Sequence, residues 1–89
     1  MAWTIEVDER AARQLSKLDR PNAVRVRNFL RDRVGVLDDP RQLGKALQGS
    51  KLGSLWRYRV GDFRIICDLQ DTKLVVLVVG VGNRRDIYR

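Results

Sequence analysis

Apolar and polar positions change their period along the chain. Residues 2–7, Ala-Trp-Thr-Ile-Glu-Val, alternate loosely and predict a strand. Asp8 follows where a helix wants a cap, and acidic Glu9 suits the positive first turn. Ala11, Ala12, Leu15 and Leu18 then recur at helical spacing. Asp19-Arg20-Pro21-Asn22 breaks this helix, and Pro21 is at home in the first turn of a second one. There Ala23, Val26, Leu30, Val34 and Leu37 step by three or four residues into one apolar stripe. The opposite face holds Arg25, Arg27, Asn28, Arg31 and Asp32, and Asp38-Asp39-Pro40 ends the helix. Residues 9–37 therefore predict an antiparallel helical pair joined by a short loop.

Residues 41–54 are irregular. Leu43, Ala46 and Leu47 are their core candidates, and Gly44, Gly49 and Gly53 predict a loop. From Leu55 to Gly82 the chain reads as three strands, 55–60, 63–70 and 73–82. Gly61-Asp62 separates the first two with Gly first, as a type II′ hairpin turn requires, and Asp71-Thr72 separates the second and third. The order is β-α-α-β-β-β. It predicts a single α+β domain over residues 1–89, with a curved antiparallel sheet packed against the N-terminal helical pair.

A two-residue turn at 61–62 fixes the register of the hairpin. Val60 faces Phe63, Arg59 faces Arg64 and Arg57 faces Ile66. Opposed residues share a side of the sheet, as do residues two apart on a strand. Arg57, Arg59 and Arg64 therefore converge on one face, while Trp56, Tyr58, Val60, Phe63 and Ile65 point to the face that the helices bury. The first face is expected to expose three cations. Like charges directly opposed destabilise a sheet unless something neutralises them. Asp68 lies on the same face, four residues beyond Arg64, within reach of one arginine only. Such a breach of local rules marks a functional position.

Charge strengthens this reading. The 89 residues carry 18 Lys plus Arg against 11 Asp plus Glu, a net +7, and all but four of the cations are Arg. Arg presents a permanently charged planar fork that matches phosphate, so a polyanion partner is expected. The absence of His removes His-based general bases, Ser-His and Cys-His pairs and the common zinc sites, and no metal or other cofactor is expected. Cys67 is alone, which excludes an internal disulfide and fits a reducing cytoplasm. The longest apolar run, Leu74–Val79, is far too short for a membrane helix, and the N-terminus does not read as a signal peptide. The tail Asn83-Arg84-Arg85-Asp86-Ile87-Tyr88-Arg89 leaves the sheet beside the basic face. It can bring Arg84 or Arg85 there, and Tyr88 supplies either a hydroxyl or a packing ring.

The sequence resembles the RelE/ParE superfamily of bacterial toxins, and within it the RelE-type mRNA interferases. The likeness covers almost the whole chain, through Asp8-Glu9-Arg10-Ala11, Leu15 to Leu18, Pro40 and Lys45-Ala46-Leu47-Gln48-Gly49. Its most specific parts are residues 55–66 and Val81-Gly82-Asn83-Arg84-Arg85-Asp86-Ile87-Tyr88. The resemblance implies a ribosome-dependent endoribonuclease that cuts mRNA in the decoding site of the 70S ribosome, without a metal. The ribose 2′-OH attacks the adjacent phosphate, leaving a 2′,3′-cyclic phosphate and a 5′-OH. Family site positions fall on Arg57, Arg59, Arg64, Arg84 and Tyr88, three of which the hairpin register selects independently. Arg85, Arg89, Lys51, Arg25 and Arg31 are assigned to RNA or ribosome binding.

Two departures bear on mechanism. Some relatives carry Lys at the positions of Arg57 and Arg59, and some carry His near Asn83. Arg is a poor base, so Tyr88 is left either to accept the 2′-OH proton or to orient the phosphate. The resemblance also implies a cognate antitoxin, RelB-like and acidic or amphipathic, with operator DNA bound only through the complex. The alternatives are a ParE-like inhibitor of DNA gyrase that cuts no RNA, and a non-catalytic RNA-binding module. The latter needs aromatic platforms beside its cations.

Overall fold

The computed structural model describes residues 3–47 and 55–85. The elements run β1 (Thr4–Val7), α1 (Glu9–Ser16), α2 (Arg20–Phe29), a π-helical turn (Leu30–Val34), a 3-10 turn (Pro40–Gln42), β2 (Lys45–Ala46), β3 (Leu55–Val60), β4 (Phe63–Gln70) and β5 (Val75–Asn83). Local chemistry explains the boundaries. The Asp8 carboxylate accepts from the Ala11 amide at 2.8 Å and caps α1. At α2 the corresponding carboxylate, Asp19, makes no cap bond to a backbone amide and accepts instead from the Asn22 side chain at 2.7 Å, while Pro21 sits in the first turn, where its missing amide costs nothing. Val26, Leu30 and Val34 are all buried although each lies four residues from the next. At about 100° per residue an α-helix drifts by about 40° at each such step. The π turn winds less per residue and returns Val34 to the core; the Gly35 amide donates to Leu30 O at 2.7 Å.

The sheet order is β1-β5-β4-β3-β2. β3, β4 and β5 form the expected antiparallel meander, but β1 pairs parallel to β5, from Thr4 opposite Val75 to Val7 opposite Val78. The α+β architecture stands, while the wholly antiparallel sheet is corrected to a mixed one. No turn ties β1 to β5, so nothing local in the sequence sets their direction; the intervening chain is long enough for a parallel crossover. The stretch read as loop also contributes β2, which pairs with Trp56 and Arg57 of β3. The β4–β5 turn is longer than expected and includes Leu74 at φ 54°, so β5 begins at Val75.

Both helices cover one face. α1 packs over β5 and α2 over β3. The core unites Ala11, Leu15, Val26, Leu30 and Val34 with Tyr58, Val60, Ile65, Cys67, Leu69, Val76, Val78 and Val81. Ala12, one of the helical candidates, is exposed. β1 ends opposite Val78, and past that point the Gln14 side chain accepts from the Val81 amide at 2.7 Å. That bond satisfies a sheet edge left without a strand.

Candidate functional site

The hairpin at 61–62 is the centre of the site. Gly61 has φ +59° and Asp62 does not share it, the pattern of a type II′ turn. Val60 pairs with Phe63, Arg59 with Arg64 and Arg57 with Ile66. The three arginines share the face away from the helices, as the sequence predicts. Tyr58 and Ile65 are fully buried on the other side, with Val60 nearly so and Trp56 and Phe63 half-buried. The Tyr58 hydroxyl donates to Pro40 O at 2.7 Å, and burial pushes its phenol well above the ordinary range.

The expectation of three exposed cations is corrected. Arg59 is exposed and Arg57 half-buried, but Arg64 is only 6% exposed. Its Nη1 turns back onto the hairpin, donating to Gly61 O at 3.2 Å and Phe63 O at 3.1 Å. Its neighbour across β5 is Gly82, which has no side chain to crowd it. The buried charge is thus held by backbone carbonyls, and its position is fixed by the turn. Asp68 is not its counter-ion: that carboxylate accepts from Gln70 at 3.2 Å. Among the described residues no carboxylate pairs with Arg25, Arg57, Arg59, Arg64 or Arg84.

The same turn gathers further cations. The Arg84 amide donates to Asp62 O at 2.9 Å, which ties the start of the tail to the hairpin. The Arg85 amide donates to the Asn83 side chain at 3.1 Å, and both arginines are exposed. Arg25 reaches over from α2, so that a Cβ built on Gly61 lies 2.8 Å from its Nη1. Arg31 is not brought here. It pairs with Asp32 at 2.9 Å and bonds Asn28 at 3.0 Å, beside a groove lined by Ile5, Val7 and Leu30. Tyr88, Arg89 and Lys51 lie outside the described residues.

Two cations missed in the sequence border this face. Arg33 and Lys45, with Arg57 and Arg59, line a cavity of about 360 Å³ whose other walls are Phe29, Leu43, Gly44 and Tyr58. Lys45 is the register partner of Arg57, but no periodic signal in 41–54 gives that pairing away. Chemically, guanidinium groups without a paired carboxylate among the described residues suit an anion such as phosphate.

Residues 5–88 match the family model for the ParE toxin of type II toxin-antitoxin systems. The chain is 33% identical over 84 residues to the mRNA interferase toxin RelE of Escherichia coli, covering 94% of this chain and 85% of the relative. Its fold is similar to a chain of a RelBE toxin–antitoxin complex from Mycobacterium tuberculosis, with a TM-score of 0.84, 24% identity and coverage of 97% and 95% of the two chains. It is also similar to a chain of the intact RelBE complex of Escherichia coli, with a TM-score of 0.70, 25% identity and coverage of 92% and 96%.

Proposed function

The chain belongs to the RelE/ParE family of type II toxin–antitoxin toxins, and from that premise we propose that it is a ribosome-dependent endoribonuclease that cuts mRNA in the decoding site. The observation that carries this reading is the pairing of Arg59 with Arg64 beside Arg57, on a face where no described carboxylate neutralises them. A like-charged pair directly across a sheet costs stability, and a bound phosphate removes that cost. The relative named an mRNA interferase supports the choice of RNA.

In the proposed reaction the mRNA 2′-oxygen attacks the adjacent phosphorus and the P–O5′ bond breaks. Tyr88 takes the 2′-OH proton at its phenol oxygen, and a solvent water protonates the departing 5′-oxygen to a 5′-OH. Arg57, Arg59, Arg64 and Arg84 stabilise the extra negative charge on the pentavalent phosphorane. Arg64 suits this role because its turn bonds pre-orient the guanidinium. Arg has little capacity as a base, so in-line positioning on the ribosome supplies much of the rate. A RelB-like antitoxin is the proposed partner, as the similar structures are toxin–antitoxin complexes. The family model bears the ParE description, so inhibition of DNA gyrase is the competing reading. Expression of the chain alone in a bacterium decides between them. Translation should stop within minutes, with transcripts cut inside reading frames. A block in replication with DNA damage and intact transcripts contradicts the nuclease and favours the gyrase inhibitor.

A further inference from the structure

The cavity between the C-terminal end of α2 and the edge of β3 is more than an extension of the basic face. Four cations line it, Arg33, Lys45, Arg57 and Arg59, and none has a carboxylate partner among the described residues. Its inner wall is aromatic. Phe29 is half-buried and meets the Tyr58 ring edge-on, with centroids 6.0 Å apart. Gly44, at φ +78°, keeps the slot's shape: a Cβ there lies 2.3 Å from Arg57 O and 2.8 Å from the Tyr58 ring.

The strand edge adds a polar group. β2 pairs with Trp56 and Arg57, and among the described residues no strand pairs with this edge of β3 from Tyr58 onward. The two-residue turn makes Val60 and Phe63 a hydrogen-bonded pair, and the alternation of an antiparallel ladder turns the Arg59 N–H and C=O away from β4, toward the open edge. One outward-facing amide is too little for strand addition by a peptide, which uses a run of main-chain bonds. It is enough for the edge of a base. Aromatic wall, single amide and ring of cations together match a nucleotide: a base to stack, an edge to pair and a phosphate to hold.

We propose that this slot binds one unpaired RNA nucleotide flanking the scissile phosphate, with the base against Phe29 and the Arg59 backbone and the phosphate on Arg33, Lys45 and Arg59. The proposal rests on the reading of the chain as an RNA-cutting toxin and names a subsite of its substrate. Arg33 and Lys45 are exposed, so their replacement leaves the core untouched.

The test measures binding of the full chain to a short single-stranded RNA with every 2′-OH methylated, which prevents cleavage. Relative to wild type, the double variant Arg33→Ala/Lys45→Ala should bind about 10-fold more weakly, while Arg10→Ala on α1 should change affinity less than about 2-fold. An abasic nucleotide walked along the probe should weaken wild type by about 5-fold or more at one position, the range that base–aromatic stacking gives, and leave the double variant unaffected. Affinity equal in the double variant and Arg10→Ala overturns the slot. So does a uniform abasic response, which reduces the cations to a phosphate patch. Protection of Arg33 and Lys45 by an acidic peptide but not by RNA overturns it in favour of a protein partner. Cleavage of unmodified mRNA on ribosomes is measured separately: its absence with the binding pattern intact removes the nuclease reading and leaves the slot.

Discussion

Arg64 and Cys67 sit three residues apart on β4 and show how burial acts on opposite faces of one strand. The Arg64 guanidinium is buried, and it donates to Gly61 O and Phe63 O. Cys67 has no hydrogen-bond partner among the described residues, and burial pushes its thiol well above its ordinary value of 9.0. Tyr58, on the same face as Cys67, is pushed above its ordinary 10.0. Both groups stay neutral in the folded protein, whereas the unfolded chain ionises at those ordinary values. Their contribution to stability is complete below the unfolded pKa and is lost as pH rises toward the folded one. Stability against denaturant should therefore fall from pH 9 upward through Cys67 and more steeply above pH 10 through Tyr58. In Cys67→Ala the first phase should vanish and the second remain. An unchanged slope between pH 9 and 10 in that variant contradicts the assignment to Cys67.

At the scale of elements, two glycines in left-handed conformation do different work. Gly61 is crowded only by the movable end of Arg25, while Gly44 is crowded by the Arg57 backbone. Gly61→Ala should cost about 1–2 kcal/mol, the penalty of the backbone conformation alone. Gly44→Ala should cost more and separate β2 from β3, because the carbonyl it meets cannot swing aside. Urea midpoints compare the two, and equal losses contradict the distinction. The same contrast explains what the sequence could convey. The β3–β4 register was legible to the residue because Gly61-Asp62 is a short turn of defined type. The caps at Asp8 and the breaks at Pro21 and Pro40 were legible for the same local reason. β2 was not, since two residues carry no period. The parallel entry of β1 was not, since long-range pairing has no local signature. The convergence of the arginines could be read from pleat geometry, but the inward turn of Arg64 could not, because it depends on carbonyls that only the folded turn presents.

At the scale of the molecule, one helix-covered sheet divides the chain's chemistry. Its inner face provides the core, and its outer face and β3 edge collect cations from α2, β2, β3, β4 and the start of the tail. A net charge of +7 gives long-range attraction to RNA, but attraction alone is not catalysis. Catalysis requires that this face lower the barrier to phosphodiester cleavage. The most direct measurement is single-turnover cleavage of mRNA on programmed ribosomes by wild type and Arg59→Ala, with binding measured in parallel on mRNA lacking the attacking 2′-OH. Arg59 is exposed and packs no core, so the variant should fold as wild type does. Cleavage should fall by about 10²–10³ while ribosome affinity changes far less, because the other arginines still hold phosphate. Equal losses of cleavage and binding, or full cleavage by Arg59→Ala, contradict a catalytic role for the face and leave it a docking surface.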